Sequence, residues 1–364
     1  MQLQIERESL QKNLELVGKV STKHVTLPVL QCVLIVVADK KVTLTATNLE
    51  IGIKAVVEGT INEETTIAVP ASTLLQTISL LTDKTITLSH EGDVLVVEGK
   101  KSKTNIKTLP FDEFPTIPVL ETKGQVLNRK LFSLGIKSTA FACSQSSIKP
   151  ELGSINVHQK KEHSLTFVAT DSFRLMEKTV PQKGVVLDEP LLLPQKNALE
   201  LARVCESIEI EPQLHVNENQ CALSFNESLY ITSRLTTGSF PDYEQIIPKE
   251  YSSHVTILKQ DLIQAFKRSQ VFLNKFQQVT LHITKDDLTI STNNGELGTT
   301  TESIKASTEG DDITLNFNQR YISEALQYFN DDSIILSFTG IGRPMVINGV
   351  NDTTTRYLVM TMNK

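Results

Sequence analysis

The chain has 364 residues, of which 40% are hydrophobic and 5% aromatic, with no tryptophan and a formal net charge of −6. The length allows two or three domains, and no apolar run reaches the roughly 20 residues of a membrane-spanning helix. The four cysteines include no CxxC pair, which argues against a disulfide framework or zinc site and predicts buried, reduced thiols in a cytoplasmic protein.

The first third of the chain alternates short apolar strands with two helices. Leu10, Leu14 and Val17 form one apolar stripe and predict an amphipathic helix over 7–19. Period-two patterns over 41–46 and 85–88 predict strands. Pro70 predicts the first turn of a second helix, because a proline there loses no hydrogen bond.

The other two thirds repeat this order of elements. Helices are predicted over 128–140 and 259–270, then from Pro194 and from Asn318, which is placed as an N-cap. The second helices begin at motifs that start 124 residues apart both times, at Val69, Leu193 and Phe317. Further strands are predicted over 153–160, 164–170, 207–211, 221–225, 279–283, 288–292, 333–338 and 345–348. Short, closely spaced strands favour antiparallel sheets, so the predicted fold class is α+β in three tandem repeats.

Two proline-rich connectors divide the repeats, at 109–118 and 238–248. Prolines near both ends favour an extended, stiff chain. Each connector contains a Phe-Pro pair, Phe114-Pro115 and Phe240-Pro241, which we expect to pin it to the preceding domain. The predicted domains are 1–118, 119–248 and 249–364.

Positive charge is concentrated on the helices. The three first-helix windows (7–23, 128–140 and 259–270) carry net charges of +2, +3 and +2, whereas the second-helix windows carry 0, +1 and 0. The remainder of the chain must therefore carry −14. Surface helices often hold solvated lysine and arginine, but the same segregation in all three copies favours binding of a polyanion.

No pattern typical of an enzyme or a metal site is present. The seven histidines form no HExxH motif, and the sequence lacks a phosphate-binding glycine loop and a Gly-x-Ser-x-Gly elbow. Asp311-Asp312 and Asp331-Asp332 are predicted in turns before strands, and 340–343 is predicted as a glycine-rich turn. We therefore expect a protein without catalytic residues, cofactor or metal.

Four motifs on this three-repeat frame resemble those of bacterial DNA polymerase III beta subunits, the replicative sliding clamps. They are Thr-Leu-Pro-Val-Leu at 26–30, Val-Ala-Thr-Asp-Ser-Phe-Arg-Leu at 168–175, Phe-Pro-Asp-Tyr at 240–243 and Tyr-Leu-Val-Met-Thr-Met at 357–362. The resemblance covers the whole chain. It implies a non-catalytic processivity factor of DNA replication: a ring, closed as a head-to-tail homodimer of three-domain chains, with two helices packed on antiparallel sheets in each domain.

The resemblance also implies that the helices face double-stranded DNA, which the ring encircles without sequence specificity. The residues that would line the DNA channel are Lys12, Lys23, His24, Lys137, Lys196, Arg203, Lys267 and Arg268. His24 stands where the family often has arginine, so Lys23 is expected to make the contact there.

A peptide-binding groove on the second and third domains is implied as well. It would take short linear segments of the replicative DNA polymerase catalytic subunit, the clamp loader, and repair and translesion proteins. Its lining would be Leu152, Thr170, Ser172, Phe173, Arg174, Leu175, Pro241, Ile246, Pro344, Leu358, Met360 and Met362. A methionine-rich strand suits varied ligands, although the same residues would also suit one face of a core strand. Ser172-Phe173, Thr361 and Asn363 depart from the family pattern and predict an altered peptide preference.

The implied dimer contact joins edge strands of the first domain of one protomer and the third of the other. The matching residues are Thr104 and Ile106 on one side and Val271 and Phe272 on the other. The sequence allows two alternatives: a self-associating scaffold that binds proteins without DNA, and a hydrolase, although the sequence contains no residues that support the latter. Retention on circular but not linear DNA separates the clamp from the scaffold.

Overall fold

The computed structural model describes residues 2–38, 41–61, 63–285 and 287–362. Within these residues the chain forms six α-helices and 26 strands, paired antiparallel in four sheets. The α+β class predicted from the sequence is therefore confirmed.

Each third of the chain contributes two α-helices, as predicted. Their bounds are α1 Arg7–Val17, α2 Ala71–Ser79, α3 Arg129–Thr139, α4 Gln195–Ser207, α5 Lys259–Ser269 and α6 Gln319–Leu326. Asn318 is the N-cap of α6, since its side chain accepts a hydrogen bond from the Tyr321 amide at 3.3 Å. Pro70 and Pro194 are not in the first helical turn. Each is the last residue of a strand, and the helix begins at the next residue.

The strands fall into three sets. The first set is β1 Gln2–Glu6, β2 Cys32–Ala38, β3 Lys41–Thr47, β4 Ile51–Val57, β5 Gly59–Ile61, β6 Thr65–Pro70, β7 Thr85–Glu91, β8 Val94–Glu98 and β9 Lys103–Lys107. The second set is β10 Gln125–Val126, β11 Ser154–His158, β12 Ser164–Thr170, β13 Arg174–Pro181, β14 Leu191–Pro194, β15 Gln213–Val216, β16 Gln220–Phe225 and β17 Leu229–Arg234. The third set is β18 Ser253–Leu258, β19 Gln278–Ile283, β20 Asp287–Asn294, β21 Gly298–Lys305, β22 Ser307–Gly310, β23 Ile313–Asn318, β24 Ser333–Phe338, β25 Met345–Gly349 and β26 Thr355–Val359.

One predicted strand is wrong. The segment 207–211 begins with the last residue of α4, and the strand that follows is β15, Gln213–Val216. The alternation of apolar residues at 208 and 210 led to the error, because so short a pattern does not separate a strand from the end of a helix and its exit turn. The expected turns at 311–312, 331–332 and 340–343 lie outside the strands, as predicted.

The first of two compact units comprises Met1–Lys130 and Glu200–Leu235. It contains a five-stranded sheet of order β5-β1-β7-β8-β9 and an eight-stranded sheet of order β10-β15-β16-β17-β4-β3-β2-β6. The larger sheet crosses from the first repeat to the second through β4 and β17, where Ile53 lies opposite Ile231.

The second unit comprises Leu131–Leu199 and Thr236–Lys364. Its sheets are nine-stranded, in the order β14-β11-β12-β13-β26-β25-β24-β18-β22, and four-stranded, in the order β21-β20-β19-β23. The nine-stranded sheet crosses from the second repeat to the third through β13 and β26, where Leu175 lies opposite Leu358.

Helix packing follows the predicted apolar stripes. Leu10, Leu14 and Val17 are all buried. In α3, a side chain at Gly135 would place its Cβ 2.3 Å from the Phe167 ring. Glycine therefore lets α3 lie directly against β12, and the helix is held by the sheet beneath it.

Both connectors pack through their phenylalanines, as predicted. Phe114 packs against a buried cluster that includes Val29 and Cys32. Phe240 packs against a cluster that includes Val168 and Leu358. These contacts hold each connector against a sheet.

The four cysteines are buried and free. Burial raises the pKa of Cys32 to about 11 and those of Cys143, Cys205 and Cys221 to about 12. In the described part of the chain, no group of three or more His, Cys, Asp or Glu side chains could hold a metal ion. No helix among those residues has both the length and the apolar character that a membrane crossing requires.

Candidate functional site

A tight turn between β12 and β13 presents an aromatic side chain at the surface. The Asp171 carboxylate accepts hydrogen bonds from the amides of Phe173 and Arg174, both at 3.0 Å. Ser172 has a φ of 77°, a left-handed conformation that is uncommon for residues other than glycine. The Thr170 hydroxyl spans the turn, accepting from the Ser172 amide and donating to the Arg174 carbonyl. The turn leaves the Phe173 side chain 61% exposed.

The buried side chain of Arg174 anchors this turn. It is 8% exposed, and its Nε donates to Asp171 Oδ2 at 3.0 Å. Its Nη1 donates to Glu324, and its Nη2 donates to the Phe141 carbonyl at 2.8 Å. The guanidinium also lies 4.5 Å from the centre of the Tyr321 ring. The side chain thus meets carboxylates, a carbonyl and an aromatic face, so the turn is held rigidly.

The electrostatics of this anchor favour the charged forms. Burial alone would raise the pKa of Glu324, but hydrogen bonds from Arg174 and Arg320 outweigh it and hold that pKa below its ordinary value. Burial would likewise lower the pKa of Arg174, and the bond to Glu324 with nearby negative charge raises it instead. The arginine therefore acts as a permanent structural cation.

Nine of the twelve residues predicted to line a peptide groove surround one surface depression, with about 210 Å³ of empty space that includes space open to solvent. They come from the turn, the connector, the turn before β25 and the end of β26, and they are Thr170, Ser172, Phe173, Arg174, Leu175, Ile246, Pro344, Leu358 and Met360. We call this depression the second-junction pocket, since it lies where the second repeat meets the third.

The floor of the second-junction pocket is hydrophobic core. Leu175 and Leu358 belong to a buried cluster with Val168, Tyr243 and Val346. The interpretation of Leu358 as a core residue is therefore correct, and Leu358 forms part of the pocket floor. Met360, in contrast, is only half-buried, and Ile246 is 50% exposed. An apolar floor bordered by partly exposed apolar side chains is the usual form of a peptide-binding groove.

The other three predicted groove residues do not line the pocket. Leu152 is buried at 5% exposure, and Pro241 lies on the exposed surface of the connector. The amide of Met362 donates to the Asn316 carbonyl at 2.7 Å, which ties the end of the chain to β23. Asn363, one of the noted departures from the family pattern, lies outside the described residues.

The residues that accept hydrogen bonds from Arg174 were not predicted from the sequence. Glu324 is 150 positions away in the chain and Phe141 is 33 away. No local pattern in the sequence links these positions, because they meet only through the folding of the sheet.

The predicted DNA-channel residues are mostly exposed on or near the helices. Lys12, Lys23, His24, Lys137, Lys196, Lys267 and Arg268 are all exposed. Both arginines of the set already form ion pairs: Arg268 pairs with Glu302 at 2.9 Å, and Arg203 pairs with Glu200 at 2.7 Å. Arg203 also donates to the Leu16 carbonyl at 3.1 Å and so caps the end of α1. His24 accepts a hydrogen bond from the Leu27 amide at 3.1 Å, which folds its ring onto its own loop.

The predicted dimer residues lie at two sheet edges, with one correction. Thr104 and Ile106 are in β9, an edge strand, although Ile106 is buried at 4% exposure in its own domain. Val271 and Phe272 are not in a strand. They form a 3₁₀ turn after α5. The edge strand beside this turn is β21, which belongs to the four-stranded sheet. A Cβ at Gly298, where β21 begins, would lie 3.7 Å from the Phe272 ring, so the turn flanks the edge without forming it.

Comparison with known proteins accounts for the whole chain. Three domain models of the DNA polymerase III beta subunit match in order: the N-terminal domain over residues 1–118, the central domain over 126–242 and the C-terminal domain over 244–363. The beta sliding clamp of Vibrio cholerae is 28% identical and that of Pseudomonas putida 29%, with at least 99% of each chain covered.

Solved structures agree. The crystal structure of the DNA polymerase III subunit beta from Pseudomonas aeruginosa matches with a TM-score of 0.94 at 26% identity, and all of both chains are covered. A structure of that sliding clamp bound to griselimycin matches with a TM-score of 0.93, also at 26% identity and with full coverage of both chains. The chain belongs to the DNA polymerase III beta subunit family, the non-catalytic sliding clamps of DNA replication.

Proposed function

We propose that this chain encircles duplex DNA as a head-to-tail homodimer and tethers the replicative polymerase to it, conferring processivity without catalysing a reaction. The observation that carries the proposal is the match of three clamp-domain models, in order, across the chain. We assign the domains to 1–118, 119–248 and 249–364, and we place the protein in the cytoplasm with the DNA it serves.

The order of the strands supports closure by a second copy. The first repeat joins the second through β4 and β17, and the second joins the third through β13 and β26. The corresponding strand of the third repeat is β21, and the counterpart of β17 and β26 in the first repeat is β9. Both are edge strands of their sheets. A second copy would therefore supply β9 to pair with β21, and the reciprocal pair would close a two-fold dimer.

Exposed apolar residues support the same contact. Asn294 forms the turn before β21 by accepting from the amides of Glu296 and Leu297, as Asp171 does before Arg174. Leu297 thus corresponds to Arg174 in the second repeat and Ile51 in the first. Leu297 is 63% exposed, whereas Arg174 and Ile51 are 8% and 3% exposed. A position covered at two junctions is uncovered at the third, where the partner would bind.

The DNA contact would be made by exposed lysines on the helices. Lys12, Lys137, Lys196 and Lys267 lie on α1, α3, α4 and α5, and Lys23 lies in the loop after α1. Such cations bind phosphates without reading bases, so binding would be independent of sequence and would weaken as salt rises. We assign Arg203 a smaller part of the DNA contact, because its guanidinium is held by the Glu200 carboxylate and the Leu16 carbonyl.

The second-junction pocket would bind linear peptides of partner proteins: the polymerase catalytic subunit, the clamp loader, and repair and translesion proteins. Its apolar floor, the exposed Phe173 and the half-buried Met360 support this assignment. The sliding clamp of Pseudomonas aeruginosa binds griselimycin, and we propose that this chain binds it in the same pocket.

Primer extension on a long single-stranded circle tests the proposal, using the polymerase and loader of the same cell. We expect the protein to lengthen the products of single binding events. A Phe173→Ala, Met360→Ala double variant should lose this effect, because the loader and the polymerase would both bind through the second-junction pocket. Product lengths that do not respond to the protein would contradict the tethering function and would favour the scaffold hypothesis.

A further inference from the structure

A second surface cavity lies where the first repeat meets the second. It encloses about 840 Å³ of empty space that includes space open to solvent, and we call it the first-junction cavity. All of its lining belongs to the first compact unit. The lining comes from the turn between β3 and β4, the first connector, and strands β16 and β17: Thr47, Leu49, Glu50, Ile51, Gly52, Pro115, Thr116, Ile117, Pro118, Gln220, Thr232 and Arg234.

Its turn repeats the turn of the second-junction pocket bond for bond. Asn48 Oδ1 accepts from the amides of Glu50 and Ile51 at 3.0 and 2.9 Å, as Asp171 does from its neighbours. The Thr47 hydroxyl accepts from the Leu49 amide and donates to the Ile51 carbonyl, as Thr170 does in its turn. Leu49 has a φ of 78°, against 77° for Ser172.

The facing strand is equivalent as well. The Arg234 amide donates to the Glu50 carbonyl at 2.8 Å, and the Met360 amide donates to the Phe173 carbonyl at 2.8 Å. In the paired strands, Thr232 lies opposite Gly52, and Leu358 lies opposite Leu175. The two depressions are therefore copies of one scaffold, built at successive junctions.

The side chains at equivalent positions differ in chemistry. Gly52, Thr232 and Arg234 stand where the second-junction pocket has Leu175, Leu358 and Met360. Ile117 fills the space left by the glycine, since a Cβ at Gly52 would lie 2.8 Å from Ile117 Cδ1. The first-junction cavity thus has an aliphatic wall beside a polar end at which Arg234 and Glu50 carry opposite charges.

Both charged side chains at that end, Arg234 and Glu50, are exposed. Arg234 takes part in none of the ion pairs formed by the described residues. Leu49 is held in a left-handed conformation that branched side chains seldom adopt, and it is 43% exposed. Strained backbone is often kept where a surface is shaped for a ligand.

We propose that the first-junction cavity is a second peptide-binding site, which takes an extended segment with an aliphatic side chain followed by a carboxylate. The aliphatic side chain would contact Ile117 and Leu49, and the carboxylate would pair with Arg234. This inference rests on the proposed function, because it extends peptide binding at the second junction to its structural copy.

Methyl NMR of the full-length protein labelled at isoleucine δ1 tests the proposal. Ile51 and Ile117 report on the first-junction cavity, and Ile246 reports on the second-junction pocket. The probe is a capped tetrapeptide of alanine, isoleucine, aspartate and alanine, compared with a twin that has asparagine in place of aspartate. Griselimycin is added first, to saturate the second-junction pocket.

We expect the aspartate peptide to shift the Ile117 resonance and to bind about threefold more tightly than its twin, as an exposed ion pair allows. Arg234→Gln should make the two peptides equal. Lys123→Gln, which removes an exposed positive charge from outside the cavity lining, should leave the difference intact.

Each outcome separates this inference from the proposed function. No shift at Ile51 or Ile117 with the aspartate peptide overturns the second site, as does a difference that survives Arg234→Gln. Failure of griselimycin to shift Ile246 contradicts the assignment of the second-junction pocket, whatever happens at Ile117. A shift of Ile246 by griselimycin together with an Arg234-dependent shift of Ile117 supports both sites.

Discussion

Replacement of Arg174 by leucine tests the most specific structural claim about the second-junction pocket. The substitution keeps much of the side-chain volume and removes three hydrogen bonds, to Asp171, Glu324 and the Phe141 carbonyl. It also removes the cation stacked on the Tyr321 ring.

The expected cost follows from what is left behind. Breaking a buried ion pair by removing one partner costs about 3–5 kcal/mol. The two carboxylates are partly hydrated, with side chains 15% exposed at Asp171 and 28% at Glu324, and Glu324 keeps a second partner in Arg320. These features reduce the penalty, so we expect the free energy of unfolding to fall by about 3 kcal/mol.

Urea unfolding followed by circular dichroism measures the loss, and Arg320→Leu is the matched control. Arg320 pairs with the same Glu324, but its side chain is 69% exposed, so its removal should cost under about 1 kcal/mol. Arg174→Leu should also weaken peptide binding, because the turn that presents Phe173 loses its anchor. Equal costs for the two variants would refute the claim that burial of Arg174 holds the turn.

Three further predictions concern acid stability, self-association and thiol access. Burial alone would raise the pKa of Asp352, but hydrogen bonds from neighbouring threonines and the charge of Lys178 lower it from 3.8 to about 2. The ionised Asp352 therefore adds about 2 kcal/mol to the free energy of unfolding above about pH 4, and this stabilisation is lost as the pH falls toward 2. Urea titrations at several pH values should show this loss in the wild type, and an Asp352→Asn variant that loses as much would contradict it. The Val271→Glu variant should have the mass of a monomer by light scattering and an unchanged melting temperature, because Val271 is 66% exposed. Ile106→Ala should instead lower the melting temperature. The reverse pattern would count against the interface. The four buried thiols should resist iodoacetamide in the native protein and react in urea, so rapid native labelling read by mass spectrometry would contradict their burial.

The repeated fold was predictable because its signals are local. The stripe of Leu10, Leu14 and Val17 and the cap at Asn318 each depend on residues a turn or two apart, and both predictions are confirmed. The prolines at 70 and 194 marked helix starts to within one residue. They terminate strands, which a local rule for helix N-termini does not anticipate.

The site was only partly predictable, because it is assembled from distant segments. The family resemblance placed Phe173 and Met360 in one pocket, which the structure shows. It did not reveal Glu324 beneath Arg174, nor that Val271 and Phe272 leave the strand for a 3₁₀ turn. The first-junction cavity could not be predicted from the sequence. The turns at Thr47 and Thr170 share a hydrogen-bonding pattern, but their other residues differ, so the sequence does not show that the turns are equivalent.

Linkage to DNA by topology, and not by affinity, would distinguish this clamp from a scaffold. The direct measurement loads the protein onto a nicked circular plasmid, isolates the complex by gel filtration in moderate salt, and then cuts the plasmid once with a restriction enzyme. We expect stable retention on the circle and release within minutes of linearisation, with slower release when the DNA ends are blocked by bound protein. Retention unchanged by cutting, or release from the intact circle at the same rate, would contradict linkage by topology.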